Sequence, residues 1–170
     1  MDRAKRSLFG FLSSSTGFAG TSFRACMTVF FGIAQQVERL HSSGRVHGSL
    51  STRKILRMAS SKTPYRLCGL AHHCHNGRPL PRPNHRICIW DPPEIARWFK
   101  LSKSVDEKQP LGYFSTDIWS LGCLLFQLST GNTLFPVGTP HHCLTVGATT
   151  FWHSHTTHLR LFLGLSSPFR

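Results

Sequence analysis

Acidic side chains are what this sequence has least of: 170 residues carry seven Asp and Glu against twenty Lys and Arg. None lies between positions 39 and 90, and none follows Asp117. Chemistry that needs paired carboxylates, whether general acid–base work or an oxygen-ligated magnesium site, is therefore excluded from that stretch. The six cysteines (26, 68, 74, 88, 123 and 143) include no C-x-x-C pair. Their scatter matches no disulfide framework, which predicts reduced thiols in a cytoplasmic, intracellular chain. Residues 1–12, MDRAKRSLFGFL, have a basic start but too short an apolar run for a signal peptide. No apolar run approaches membrane-spanning length, so a soluble or peripherally bound protein is expected.

The charge balance itself, a formal +13 with a pI near 10.4, predicts attraction to nucleic acid, anionic headgroups or acidic partners. Tyr65 and Trp90 are the only aromatics near the basic run at 39–86 that could stack on bases. With no recognised binding motif beside them, this argues against nucleic acid and leaves an acidic protein surface open. A solvated basic face is the plainer reading of the run.

What is present is one domain's worth of chain, 40% hydrophobic and long enough to bury a core. Its centre is the stretch at 117–135, DIWSLGCLLFQLSTGNTLF. Thr116 is placed to cap a helix there, and Gly131 to close it in the left-handed conformation. Ile118, Trp119, Leu121, Cys123, Leu124, Leu125, Phe126 and Leu128 cover nearly the whole circumference, which predicts a core helix without a broad polar face. A second helix is predicted at 23–41, with Cys26, Phe30, Ile33, Ala34, Val37 and Leu40 on one stripe, Ser22 as cap and Gly44 just past the end.

Between them, 46–56 reads as a loop between short apolar pieces, and 62–67 as a turn into a short strand, together a β-hairpin. Residues 13–22 read as a small-residue loop. The His-, Pro- and Arg-rich segment at 71–84 predicts little regular structure. A brief extended piece is expected at 87–90, a helical turn at 95–99 and a polar connection at 102–112. Residues 136–170 lack acids and, apart from LRLFLGL at 159–165, any sustained period; they are expected to form a poorly structured tail outside the domain, as if the reading frame had changed.

Three landmarks in order carry a resemblance. The run ERLHSSGRVHGSLSTRKIL resembles the helix end and catalytic loop of eukaryotic protein kinases, LH-x-x-x-I-V-H-R-D-L-K-x-x-N-I-L. The tetrapeptide DPPE at 91–94 resembles their A-P-E signature, and Asp117, Trp119 and Gly122 match their D-x-W-S-x-G helix. The resemblance implies a mainly α fold, the C-lobe of the kinase α+β architecture, over residues 1–135, with a short hairpin and irregular loops. The Gly-rich loop and V-A-I-K strand of an N-lobe have no counterpart in the sequence, nor have the helices that follow Phe135 in the family. More narrowly, the degraded loop and the long polar connection after DPPE resemble the pseudokinase region of TBC-domain-containing kinase-like proteins. There the kinase-like part precedes a domain acting on Rab GTPases, which implies a trafficking or scaffold role.

Carried over position by position, the chemistry is missing. Ser49 stands where the family has its proton-accepting Asp, Ser51 where it has a phosphate-contacting Lys, and Lys54 where it has a metal-binding Asn. A hydroxyl is not basic at neutral pH, and an ammonium repels magnesium. The D-F-G position aligns either without gaps, giving Gly69, Leu70 and Ala71, or with Gly69 on the glycine and the Asp and Phe deleted. No cofactor and no catalytic residue are expected. His47 is expected to pack as a structural histidine, and Asp117 to bind backbone N–H groups of the loop. Glu94, whose Arg partner the family supplies from later helices, must find another partner, stay solvated or leave the lobe loose.

The function implied is a catalytically inactive kinase-like domain acting through a protein partner. Two alternatives stand beside it: an ATP-binding kinase fragment completed by another chain, and a small basic zinc- or nucleic-acid-binding protein. The zinc reading rests on Cys68, His72, Cys74 and Cys88, residue types that ligate zinc but at irregular spacing.

Overall fold

A computed structural model describes residues 4–13, 22–59, 64–81, 88–101 and 109–135. In chain order the elements are strand β1 (Ala4–Ser7), the short helix α1 (Leu8–Leu12), the long helix α2 (Phe23–Ser42), and strands β2 (Arg45–Val46), β3 (Ile55–Met58), β4 (Tyr65–Leu67), β5 (Cys74–His75) and β6 (Arg78–Pro79). Helix α3 (Pro93–Leu101), strand β7 (Leu111–Gly112) and helix α4 (Phe114–Thr130) follow. The tail at 136–170 and most of the loop at 13–22 and of the connection at 102–112 lie outside the described residues.

Helix α2 forms where the apolar stripe predicts it. Ser22 Oγ accepts from Ala25 N at 3.4 Å, satisfying one of the amides a helix start leaves open. Arg39 and His41 sit in the last turn, on the carbonyl end of the helix dipole. The buried side chains Cys26, Val29, Ile33 and Val37 meet Leu121, Leu124 and Leu128 of α4 in the main core. Burying each of the larger aliphatic side chains stabilises by roughly 1.5–3 kcal/mol, so this pair of helices is the mechanical centre of the fold.

Helix α4 ends as expected and begins earlier than expected. Gly131 takes φ +77° and donates from its N–H to Gln127 O at 2.9 Å, a conformation that Cβ-bearing residues adopt at a cost. The start is not Thr116. Tyr113 is the cap residue, and Thr116 Oγ1 reaches back to accept from Tyr113 N at 3.3 Å, the reach-back half of a capping box. The expected all-round burial also fails along one stripe, where Ile118 is 56% exposed and Gly122, one turn on, faces open space.

The expected hairpin is present as the antiparallel pair β3–β4, and β1 adds a third strand to give the order β1-β3-β4. Residues 71–81 correct the expectation of irregular structure. β5 pairs with β2 and β6 with β7, two residues each, because partners far away in sequence supply the hydrogen bonds. Residues 82–84 of that segment are outside the described chain. The piece expected to be extended at 87–90 is a turn in its described part, closed by Asp91 Oδ2 accepting from Cys88 N at 2.8 Å. The helical turn expected at 95–99 is a nine-residue helix, α3. Pro93 opens it, where a missing N–H does no harm, and Glu94 favours its positive end. A second, smaller core joins these parts, with Val46, Cys74, Leu80 and Ile95 buried and Phe99 and Phe114 packed against them. No helix among the described residues is long and apolar enough to cross a membrane.

Candidate functional site

The loop after β2 is suspended from α4 by a single carboxylate. Asp117 is fully buried; its Oδ2 accepts from His47 N at 2.7 Å and its Oδ1 from Gly48 N at 2.9 Å. His41, in the last turn of α2, brings Nε2 to within 2.9 Å of the same Oδ2, with its ring against Phe114 at a centroid separation of 4.5 Å. The hydrogen bonds to both carboxylate oxygens come from two backbone amides and a histidine, so the group holds a loop.

His47 is also fully buried. Its Nε2 lies 3.1 Å from Cys68 O; since a carbonyl only accepts, Nε2 carries the proton and Nδ1 is left as a buried lone pair without a partner. Burial lowers its pKa from the ordinary 6.5, with Asp117 opposing the shift and Lys54 adding to it. The sign of the consequence follows from linkage. As pH falls below the ordinary value the unfolded chain takes up a proton that the folded chain refuses, so stability is complete above that value and declines below it until the depressed folded pKa is reached. The melting temperature is expected to be several degrees lower at about pH 5.5 than at about pH 7.5. That difference should shrink in His47→Gln; an equal difference in both proteins would mean that other groups carry it.

The remaining loop positions converge on an ammonium. Lys54, in the 3-10 turn Thr52–Lys54, donates from Nζ to Ser49 Oγ. Its alkyl stem lies over Gly69: a Cβ there would stand 3.1 Å from Lys54 Cδ, and Gly69 has φ +76°. A side chain at position 69 would be strained by the backbone conformation and would press tightly on the Lys54 stem. Ser51 is largely buried. Thus Ser49 and Gly69, which the sequence could only align, both meet the Lys54 side chain, Ser49 at its ammonium and Gly69 at its alkyl stem.

The signature residues bind the next segment to α4. Ser120 Oγ donates to Trp90 O at 2.9 Å, tying the turn before DPPE to the helix, a role the sequence gives no direct sign of. Trp119 stacks on Phe135 at 6.3 Å between centroids with 9° between planes, and its Nε1 is buried without a partner. Glu94 is exposed, so of the outcomes open to it the solvated one is observed. Gly122 lies on the outward stripe of α4.

The zinc candidates do not assemble. Cys74 is buried beside Gly112, His72 Nδ1 donates to Pro81 O at 2.7 Å, Cys68 is half-buried beneath His47 and Cys88 is exposed at the Asp91 turn. Among the described residues no three His, Cys, Asp or Glu are grouped as a metal requires. Burial also pushes the Cys74 thiol up, away from the thiolate that zinc binds.

With this geometry in view, comparison finds similarity to kinase-like proteins. Over 116 residues, 65% of this chain, it is 31% identical to a TBC domain-containing protein kinase-like protein of Homo sapiens, of which it spans 13%. Over 114 residues, 62% of this chain, it is 31% identical to the meiosis-specific serine/threonine-protein kinase mek1 of Schizosaccharomyces pombe, of which it spans 24%. The chain therefore covers a quarter or less of the length of these relatives. No family model matches it.

Proposed function

We propose that this chain is a catalytically inactive protein kinase-like domain, built on the C-lobe plan, that acts through protein contacts. The observation that carries the reading is the Lys54 ammonium on Ser49 Oγ, at the two positions where the kinase resemblance implies a metal-binding Asn and a proton-accepting Asp. Phosphoryl transfer in that family needs magnesium bridging the phosphates and a carboxylate orienting the nucleophile. Here the loop is hung on Asp117 by two backbone hydrogen bonds, while residues 39–90 contain no carboxylate to hold the metal. Gly69 leaves room for Lys54 instead of supplying a ligand. A tethered cation thus occupies the region in which the family gathers magnesium, and repels it.

The purified chain is expected to transfer no phosphate from radiolabelled ATP to itself or to basic protein substrates, with magnesium or manganese, beyond the level of a Lys54→Ala variant. Magnesium-dependent incorporation that disappears in Lys54→Ala would overturn the reading.

A further inference from the structure

Arg6 and Arg57 stand directly opposite each other in the β1–β3 register, and both are exposed. Like charges in that relation destabilise an antiparallel pair. Lys5 and Phe11 close around them to line a surface cleft of about 540 Å³, so three cations share one concavity. The chain has no acid between residues 39 and 90 to offset them from β3 or β4. The Arg57 guanidinium lies over the Phe11 ring at 4.8 Å, and neighbouring Arg53 over Phe9 at 4.4 Å. A guanidinium held through its face by an aromatic ring keeps its in-plane N–H fork for an anion.

Two opposed forks and an ammonium suit a dianion with three oxygens better than a carboxylate, which one fork satisfies. The cleft also borders an edge. β1 is terminal in the order β1-β3-β4, and an edge strand offers backbone donors and acceptors that an extended peptide can pair with. Base stacking is less well served, because Phe11, the ring that lines the cleft, already carries Arg57. We propose that the cleft of Lys5, Arg6, Phe11 and Arg57 binds the phosphorylated side chain of an extended peptide. This site is separate from the loop held by Asp117 and does not depend on the kinase-like reading.

The test is fluorescence anisotropy on the full chain with labelled degenerate peptides bearing one central phosphoserine, phosphothreonine or phosphotyrosine. Unphosphorylated and glutamate-substituted peptides and oligouridine of equal charge serve as comparisons. At least one phosphorylated set is expected to bind on the order of tenfold more tightly than its glutamate counterpart, with inorganic phosphate competing. Arg6→Gln and Arg57→Gln should abolish that preference, and Arg78→Gln on β6 should not. Arg6→Gln relieves the like-charge opposition and is expected not to lower the melting temperature, which separates lost binding from lost folding. Oligouridine or glutamate peptide binding as tightly as the phosphopeptide, equal weakening by Arg78→Gln, or no phosphopeptide binding would each overturn the proposal.

Discussion

Asp117→Ala is expected to destabilise the folded chain by about 3–5 kcal/mol, from the penalty of burying donors without acceptors. The carboxylate satisfies the buried N–H groups of His47 at 2.7 Å and Gly48 at 2.9 Å, and neither reaches solvent when it is gone. Each such orphan costs about 1–3 kcal/mol. The third donor, His41 Nε2, belongs to a side chain that is 15% exposed, so water can replace part of its bond and it adds less. Asp117→Asn should lose nearly as much, since the amide keeps one acceptor oxygen but turns an NH2 toward the other donor. Urea unfolding with an unchanged m-value measures the difference. A loss below about 1 kcal/mol would mean that water or a shifted loop satisfies both amides, and the carboxylate would then not be the loop's anchor.

How far this arrangement can be read without coordinates depends on how local its causes are. Helix α2 was legible because its signals lie in its own residues: Ser22 at the cap and an apolar stripe through Cys26, Ile33 and Val37. The end of α4 was legible for the same reason, through Gly131. Its start was not, because both Thr116 and Tyr113 can precede a helical turn and the hydroxyl of Thr116 serves from inside the helix. The pairing of β5 and β6 depends on β2 and β7, which lie far off in sequence, and a His- and Pro-rich composition carries no trace of that. Ile118 is apolar yet 56% exposed: hydropathy states what a side chain favours, and burial depends on what packs there.

The candidate site divides in the same way. The motif spelling located Asp117 and the loop it holds, and the absence of acids from 39 to 90 leaves no carboxylate there for an oxygen-ligated magnesium, a point that needs no alignment. The packing of Lys54 on Gly69 and Ser49 is a three-body relation between a loop, a turn and a strand end. Sequence pattern reports pairs at regular spacing and has no means of reporting such a relation. The Ser120 bridge to Trp90 is likewise visible only once the turn and helix are adjacent. In the motif Ser120 is one small polar residue; in the fold it fixes the distance between two of the three landmarks.

Gly48→Ala strikes the same anchor from the loop side and is expected to cost about 2–5 kcal/mol through two separable causes. Gly48 has φ +71°, where a residue with a Cβ is strained by about 1–2 kcal/mol. The added Cβ would also stand 2.1 Å from Leu80 Cδ2 and 3.2 Å from His72 O. Leu80 is fully buried in the smaller core with Val46, Cys74 and Ile95, so it cannot swing aside without disturbing them, and overpacking of this kind costs about 1–3 kcal/mol. A double-mutant cycle separates the causes. Leu80→Ala alone should lose about 2–5 kcal/mol, as a fully buried leucine does. Combined with Gly48→Ala, the total should fall short of the sum by about 1–2 kcal/mol, because the truncated side chain no longer meets the new methyl. Additivity to within a few tenths of a kcal/mol would show that the whole cost lies in the backbone conformation, and that the second core does not constrain the loop Asp117 holds.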